Sequence, residues 1–91
     1  MRRAAKVDNN HAEIVDTFRK CGAFVFDASR VGDGFPDLVV RWHGRWILAE
    51  VKDQRGTLTP EQVIFQKACD YGVEIVRSKT DAIRILNEAV K

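Results

Sequence analysis

Phe35-Pro36-Asp37-Leu38-Val39-Val40-Arg41-Trp42-His43-Gly44-Arg45-Trp46-Ile47-Leu48-Ala49-Glu50-Val51-Lys52 reads as two apolar strands folded back at His43-Gly44. Gly44 supplies the positive φ that a short hairpin turn needs; the loop holds two residues, or four if Trp42 and Arg45 join it. Either length sets the same register. Arg41 faces Trp46, Val40 faces Ile47, Val39 faces Leu48 and Leu38 faces Ala49. The next pair outward is Asp37 with Glu50, at a Cβ separation of about 5 Å. Leu38, Val40, Ile47, Ala49 and Val51 project to one face, and Asp37, Val39, Leu48, Glu50 and Lys52 to the other. Both faces are apolar at the centre, so helices are expected to cover both.

Two ionised carboxylates at that spacing repel by roughly 3 kcal/mol at an effective dielectric of about 20. Either one stays protonated or a cation lies between them. Lys52 reaches the same spot. Asp37 and Glu50, with the Val51 carbonyl, form a hard oxygen ligand set suited to magnesium or manganese rather than zinc. Such an ion also takes a phosphate oxygen, polarises phosphorus and supplies a hydroxide-like water. Lys52 would hold that water or stabilise charge building on the phosphate. The chain carries no Gly-rich phosphate loop and no Ser or Cys nucleophile arrangement, so phosphodiester hydrolysis fits better than nucleotide-driven transfer. Taken singly, Asp37 after Pro36 is an ordinary turn residue, and Glu50 with Lys52 an ordinary same-face ion pair. Their convergence on an apolar hairpin is what argues for a site.

Upstream, Met1–Val7 is short and basic and reads as a solvated terminus, with a phosphate-touching arm as the alternative. Asn9 or Asn10 can cap a helix to about Lys20, and Asn10 with Glu13 fits a capping box. Ile14, Val15 and Phe18 form its apolar stripe, with Ala12 and Cys21 at the margins. Glu13 sits beside that stripe, as a cap partner or as a third acid over the sheet. His11 reads as a surface residue. Gly22 closes the helix and Ala23–Phe26 is a strand. Asp27–Phe35 is a long loop that borders the site, with Arg30 a candidate phosphate contact. Arg41, Trp42, Arg45 and Trp46 cluster at the turn end, where they could stack on bases or form a dimer contact; the dimer is preferred.

Downstream, Asp53–Leu58 is a polar loop containing Arg55. Thr59-Pro60-Glu61-Gln62 opens a helix with Thr59 as N-cap, Pro60 at its first position and Gln62 at its third. Ile64, Phe65, Ala68 and Cys69 make its expected buried stripe, and Gly72 its end. Capping alone accounts for Gln62, whereas Gln66 has no such role. Val73–Val76 is a strand parallel to the second hairpin strand. Ser78 or Thr80 caps a last helix with Ala82, Ile85, Leu86 and Ala89 as its stripe. The order is α-β-β-β-α-β-α.

The chain has 91 residues, which predicts one domain. A chain this short buries only about 60–65% of its unfolded surface, so a dimer interface would help. Fifteen basic against thirteen acidic residues leave a net charge of +2, a weak pull towards polyanions that strengthens if acids gather at a metal. Cys21 and Cys69 have no C-x-x-C or zinc spacing and read as buried free thiols in a reducing cytosol. No membrane span or signal peptide is expected.

Gly34-Phe35-Pro36-Asp37 followed by Glu50-Val51-Lys52 resembles the signature of the PD-(D/E)XK nucleases. Glu13, the Gly-x-Pro-Asp-Leu start and the Leu58-Thr59-Pro60-Glu61-Gln62 helix entry resemble, more narrowly, the VRR-NUC (virus-type replication-repair nuclease) group. The resemblance spans nearly the whole chain. It implies an α/β fold with a restriction-endonuclease-like α-β-β-β-α-β core, helices on both faces of a mixed sheet and an added C-terminal helix. It implies a Mg²⁺- or Mn²⁺-dependent, structure-selective DNA endonuclease in which Asp37, Glu50 and the Val51 carbonyl bind metal and Lys52 assists catalysis. Glu13 would be the supporting acid of the first helix and Gln62 the glutamine of the second, with Gln66 the lesser candidate. Arg30, Arg55 and Gln66 are candidate DNA contacts. Small members of this group occur in bacteriophages and bacteria and are similar to Holliday junction resolvases in forming homodimers on branched DNA, which implies a cytoplasmic enzyme of a bacterial or phage-infected cell. The alternatives are a non-catalytic nucleic-acid-binding dimer, an adaptor dimer whose carboxylates form ion pairs, or a flap nuclease.

Overall fold

The computed structural model describes residues 8–90; the basic Met1–Val7 stretch lies outside them. Seven elements follow the expected order: α1 (His11–Lys20), β1 (Phe24–Asp27), β2 (Leu38–Trp42), β3 (Arg45–Val51), α2 (Pro60–Ala68), β4 (Val73–Val76) and α3 (Lys79–Ala89). They form a mixed α/β fold around one four-stranded sheet of order β1-β2-β3-β4. β1, β2 and β3 are antiparallel and β4 joins β3 in parallel.

The hairpin has the register its sequence dictates, from Leu38 opposite Ala49 to Trp42 opposite Arg45. Its loop is the two-residue option, with His43 and Gly44 at φ +48° and +78°. Positive φ at both positions is the twist-matched solution for a two-residue hairpin. Alternation then sends Val25, Leu38, Val40, Ile47, Ala49 and Val51 to one face, where they meet Ile14, Val15 and Phe18 of α1 and Ala82, Ile85 and Leu86 of α3 in a single core. Trp42 joins this inner side and its indole N–H donates to the Leu86 carbonyl at 3.0 Å. It is therefore an internal strut between β2 and α3, separate from the exposed Trp46 with which the sequence grouped it.

The opposite face departs from expectation. Among the described residues only α2 lies there, over the β3–β4 end, held by Phe65 edge-on to Phe35 and by Gln66 donating to the Val73 carbonyl at 3.2 Å. No described residue covers the β1–β2 end, where Phe24, Phe26 and Trp46 are about 60% exposed. The expected stripe of α2 is also rotated: Ile64 and Ala68 are exposed, and Gln62, Phe65, Gln66 and Cys69 face the protein instead. α2 ends at Ala68, before Gly72, because Asp70 and Tyr71 take the left-handed conformation at φ +53° and +60°. Cys21 is exposed and Cys69 half-buried, so neither is the buried thiol expected. Among the described residues, no helix is long and apolar enough to cross a membrane.

Candidate active site

The outward face of the hairpin ends at Asp37 and Glu50, and the protein is built tightly around both. Asp37 precedes β2, where its carbonyl accepts from Ala28 N–H at 2.7 Å and its Oδ2 accepts from Val51 N–H at 2.9 Å. One carboxylate oxygen thus ties the start of β2 to the end of β3. Glu50 is only 2% exposed. Its Oε2 accepts from Gln62 Nε2 at 2.9 Å and lies 4.0 Å from the Lys52 ammonium, itself buried.

Burial is the main reason that Glu50 resists ionisation; a hydrogen bond with Asp37 and the Asp37 charge add to it. The carboxyl is raised from 4.5 to about 9. Lys52 pulls the other way, but at its distance it does not offset the other effects. The repulsion anticipated from sequence was therefore the smaller part, since desolvation disfavours the charged form independently. At neutral pH Glu50 holds a proton and Asp37 is its acceptor.

Gln62 reaches Glu50 because of how α2 begins. Thr59 Oγ1 accepts from Gln62 N–H at 3.2 Å, and Gln62 Oε1 accepts from Thr59 N–H at 2.9 Å, closing a capping box. The two ends of one amide are divided between cap and site, so the structural and functional readings of Gln62 hold together. Gly34 fixes the approach: its φ is +82°, and a Cβ there would run into the Glu61 carbonyl. The Gly34-Phe35-Pro36 lead into Asp37 is thus fitted against the first turn of α2.

Asn10 secures the other side. It makes no side-chain cap. Its Nδ2 instead donates to the carbonyls of Lys52 and Arg77, each at 3.0 Å, clamping the ends of the parallel β3 and β4. His11, expected at the surface, is 8% exposed, with Nε2 2.9 Å from Asp27 Oδ2. Partial burial opposes the Asp27 charge, but hydrogen bonds from Ser29 and His11 outweigh it and lower the carboxyl to about 2.

A cleft of about 410 Å³ opens onto Asp37, Glu50, Val51, Lys52 and Gln62. Asp8 also lines it, and its charge adds to the resistance of Glu50 to ionisation. Sequence reading missed Asp8 because Asp8-Asn9-Asn10 looks like a set of cap residues, and only the tertiary fold turns the first of them to the sheet. Glu13 does not line the cleft. It is half-exposed, 3.7 Å from Lys79 Nζ, on the side of α1 towards α3. Arg30 and Arg55 are exposed on flanking loops and outside the cleft lining, and Gln66 is buried with its amide donating to Val73, so its side chain is not displayed for DNA.

The donor set fits a hard divalent cation through two carboxylates and a carbonyl, with water completing the shell. The buried Glu50 carboxyl and the half-buried Asp37 share a proton, and a cation could take that proton's place. Among the described residues, no group of three or more His, Cys, Asp or Glu side chains is placed to hold an ion. Comparisons with family models, curated proteins and solved structures return no match.

Proposed function

We propose that this chain is a metal-dependent endodeoxyribonuclease with a restriction-endonuclease-like core of the VRR-NUC type, acting as a homodimer on branched DNA such as Holliday junctions. One observation carries the reading: a carboxyl 2% exposed is held against a second carboxylate at a cleft, with a buried lysine and an aimed amide beside it. Such an arrangement costs stability, and groups perturbed in this way concentrate at working sites. The motif resemblance supplies the reaction class.

Asp37, Glu50 and the Val51 carbonyl would hold Mg²⁺ or Mn²⁺. When bound, the ion supplies Lewis-acid polarisation of the phosphate and a water acidic enough to attack. Glu50 must give up its proton to serve, and Lys52 stabilises the resulting carboxylate. The same ammonium faces the cleft, where it can orient water or meet negative charge on phosphate oxygens. Gln62 acts through Glu50 and is a positioning residue. Asp8 adds negative potential that favours a cation.

The test is cleavage of a labelled panel (four-way junction, flap, duplex, single strand) with Mg²⁺ or Mn²⁺, beside Asp37→Ala and Glu50→Ala. Paired symmetric cuts in the junction, abolished by either substitution, are expected. Cuts in a flap alone would keep the chemistry and change the substrate. Intact binding with no cleavage of any substrate would overturn the catalytic assignment.

A further inference from the structure

The outer sheet face is ordered in rows. Asp37 and Glu50 form one row; Phe26, Val39 and Leu48 form the next; Phe24, Arg41 and Trp46 form the third. Each row is two residues along a strand from its neighbour, about 7 Å. α2 lies over the first row and also over the β4 end of the second, where Val73 is buried opposite Leu48. In the other two, Phe24 is 60%, Phe26 57% and Trp46 63% exposed, and Val39 and Leu48 are half-buried.

We infer that this exposed aromatic face is the surface on which a second copy of the chain docks, with an edge beginning one row from the Asp37 and Glu50 carboxylates. The inference deepens the dimeric part of the proposed function and is independent of the chemistry. Three considerations select the occupant. The first is area: with about 200 Å² per fully exposed aromatic, the three rings alone offer roughly 350 Å². A standard interface takes about 800 Å² from each partner, so the rings supply nearly half, and Val39, Leu48 and the surrounding loop edges lie beside them. The second is charge. The Arg41 guanidinium lies 4.8 Å from the Trp46 ring centroid, so the one cation of these rows is already stacked. A nucleic-acid platform needs a basic groove along its rings, and these two rows do not offer one. The third is self-complementarity. A two-fold contact sets a surface against itself, which an apolar aromatic face tolerates and a singly charged one does not.

The test is sedimentation velocity of the full chain at micromolar concentration, without metal or DNA, for the wild type, Phe26→Asp with Trp46→Ser, and Phe24→Asp alone. These side chains are exposed, and circular dichroism checks that each variant keeps its fold. The wild type is expected at twice the 10.3 kDa of one chain and the variants at that mass. Each lost aromatic anchor should weaken the dimer roughly thirtyfold or more. The wild-type melting temperature should also rise with concentration while those of the variants do not. A dimer that persists in the folded variants would overturn the face and leave the dimeric reading standing. A wild-type monomer would overturn both. A monomer that binds single-stranded DNA and loses that binding in Trp46→Ser would assign the face to bases. None of these outcomes bears on whether Asp37 and Glu50 cleave DNA.

Discussion

Replacing Glu50 by Gln should make the metal-free protein more stable, by an amount that depends on pH. In the unfolded chain Glu50 ionises near 4.5; in the folded protein it does so near 9. Between those values folding must put a proton on Glu50. At pH 7 the gap to the unfolded value is 2.5 pH units, which at 1.4 kcal/mol per unit costs about 3 kcal/mol. The sign follows from linkage. A folded value above the unfolded one leaves stability whole below pH 4.5 and erodes it steadily up to about 9, where the loss reaches at most about 6 kcal/mol. Gln does not titrate. Its amide can donate to Asp37 as the protonated carboxyl does, and its carbonyl can accept from Gln62.

The assay is urea denaturation in EDTA, followed by tryptophan fluorescence, for both proteins at several pH values. The expected advantage of Glu50→Gln is near zero at pH 4.5, about 3 kcal/mol at pH 7 and larger above it. Adding Mg²⁺ should stabilise the wild type and not the variant, narrowing the difference, because an ion that binds only the folded protein raises its stability. An advantage that is flat with pH, or a variant less stable than wild type at pH 8, would refute the account of Glu50 as a buried, proton-holding acid.

Gln62→Ala should cost about 1–2 kcal/mol in chemical denaturation, because it removes half of the capping box and the part-buried hydrogen bond to Glu50 together. Thr59→Ala should cost about 1 kcal/mol through the cap and lower the proposed nuclease activity less than Gln62→Ala does. Gly34→Ala meets both a positive φ and the Glu61 carbonyl; a loss above about 1 kcal/mol, with faster amide exchange in the first turn of α2, is expected. Asn10→Ala leaves the Lys52 and Arg77 carbonyls without their donor, and a cost of roughly 1–3 kcal/mol should appear in thermal melts. Asp27 contributes stability above pH 4 that is lost as pH falls towards 2, so Asp27→Asn should flatten that part of the acid-unfolding profile.

The hairpin register, the α1 stripe and the parallel return of β4 were legible because each is written in neighbouring residues. Two-residue alternation places Leu38 and Val40, and helical spacing places Ile14 and Phe18, whatever the rest of the chain does. Asp37, Glu50, Lys52 and Gln62 were legible for the same reason: the hairpin brings the first three together, and a cap motif orients the fourth. Asn10, His11 and Asp8 were not. Asn10 matches a helix cap by type, but the carbonyls that claim it belong to residues 42 and 67 positions away. His11 needed Asp27 beside it, and Asp8 needed the sheet beneath it.

α2 shows the competition most plainly. Its apolar pattern favours turning Ile64 and Ala68 inward, yet Ile64 is 68% exposed and Gln66 only 8%. Leaving Ile64 largely in water forgoes about 1–2 kcal/mol. Rotating it inward would swing Gln62 from Glu50 and Gln66 from the Val73 carbonyl, leaving buried polar groups unpaired at about 1–3 kcal/mol each. Gln62, Phe65, Gln66 and Cys69 lie at i, i+3, i+4 and i+7, so one face can bond Glu50, bond Val73 and still bury Phe65 against Phe35. The polar demand is larger, and it originates at Glu50. A buried carboxyl therefore chooses the face of the helix above it, and the hydrophobic pattern of that helix misleads at the place where the Glu50 cluster intrudes.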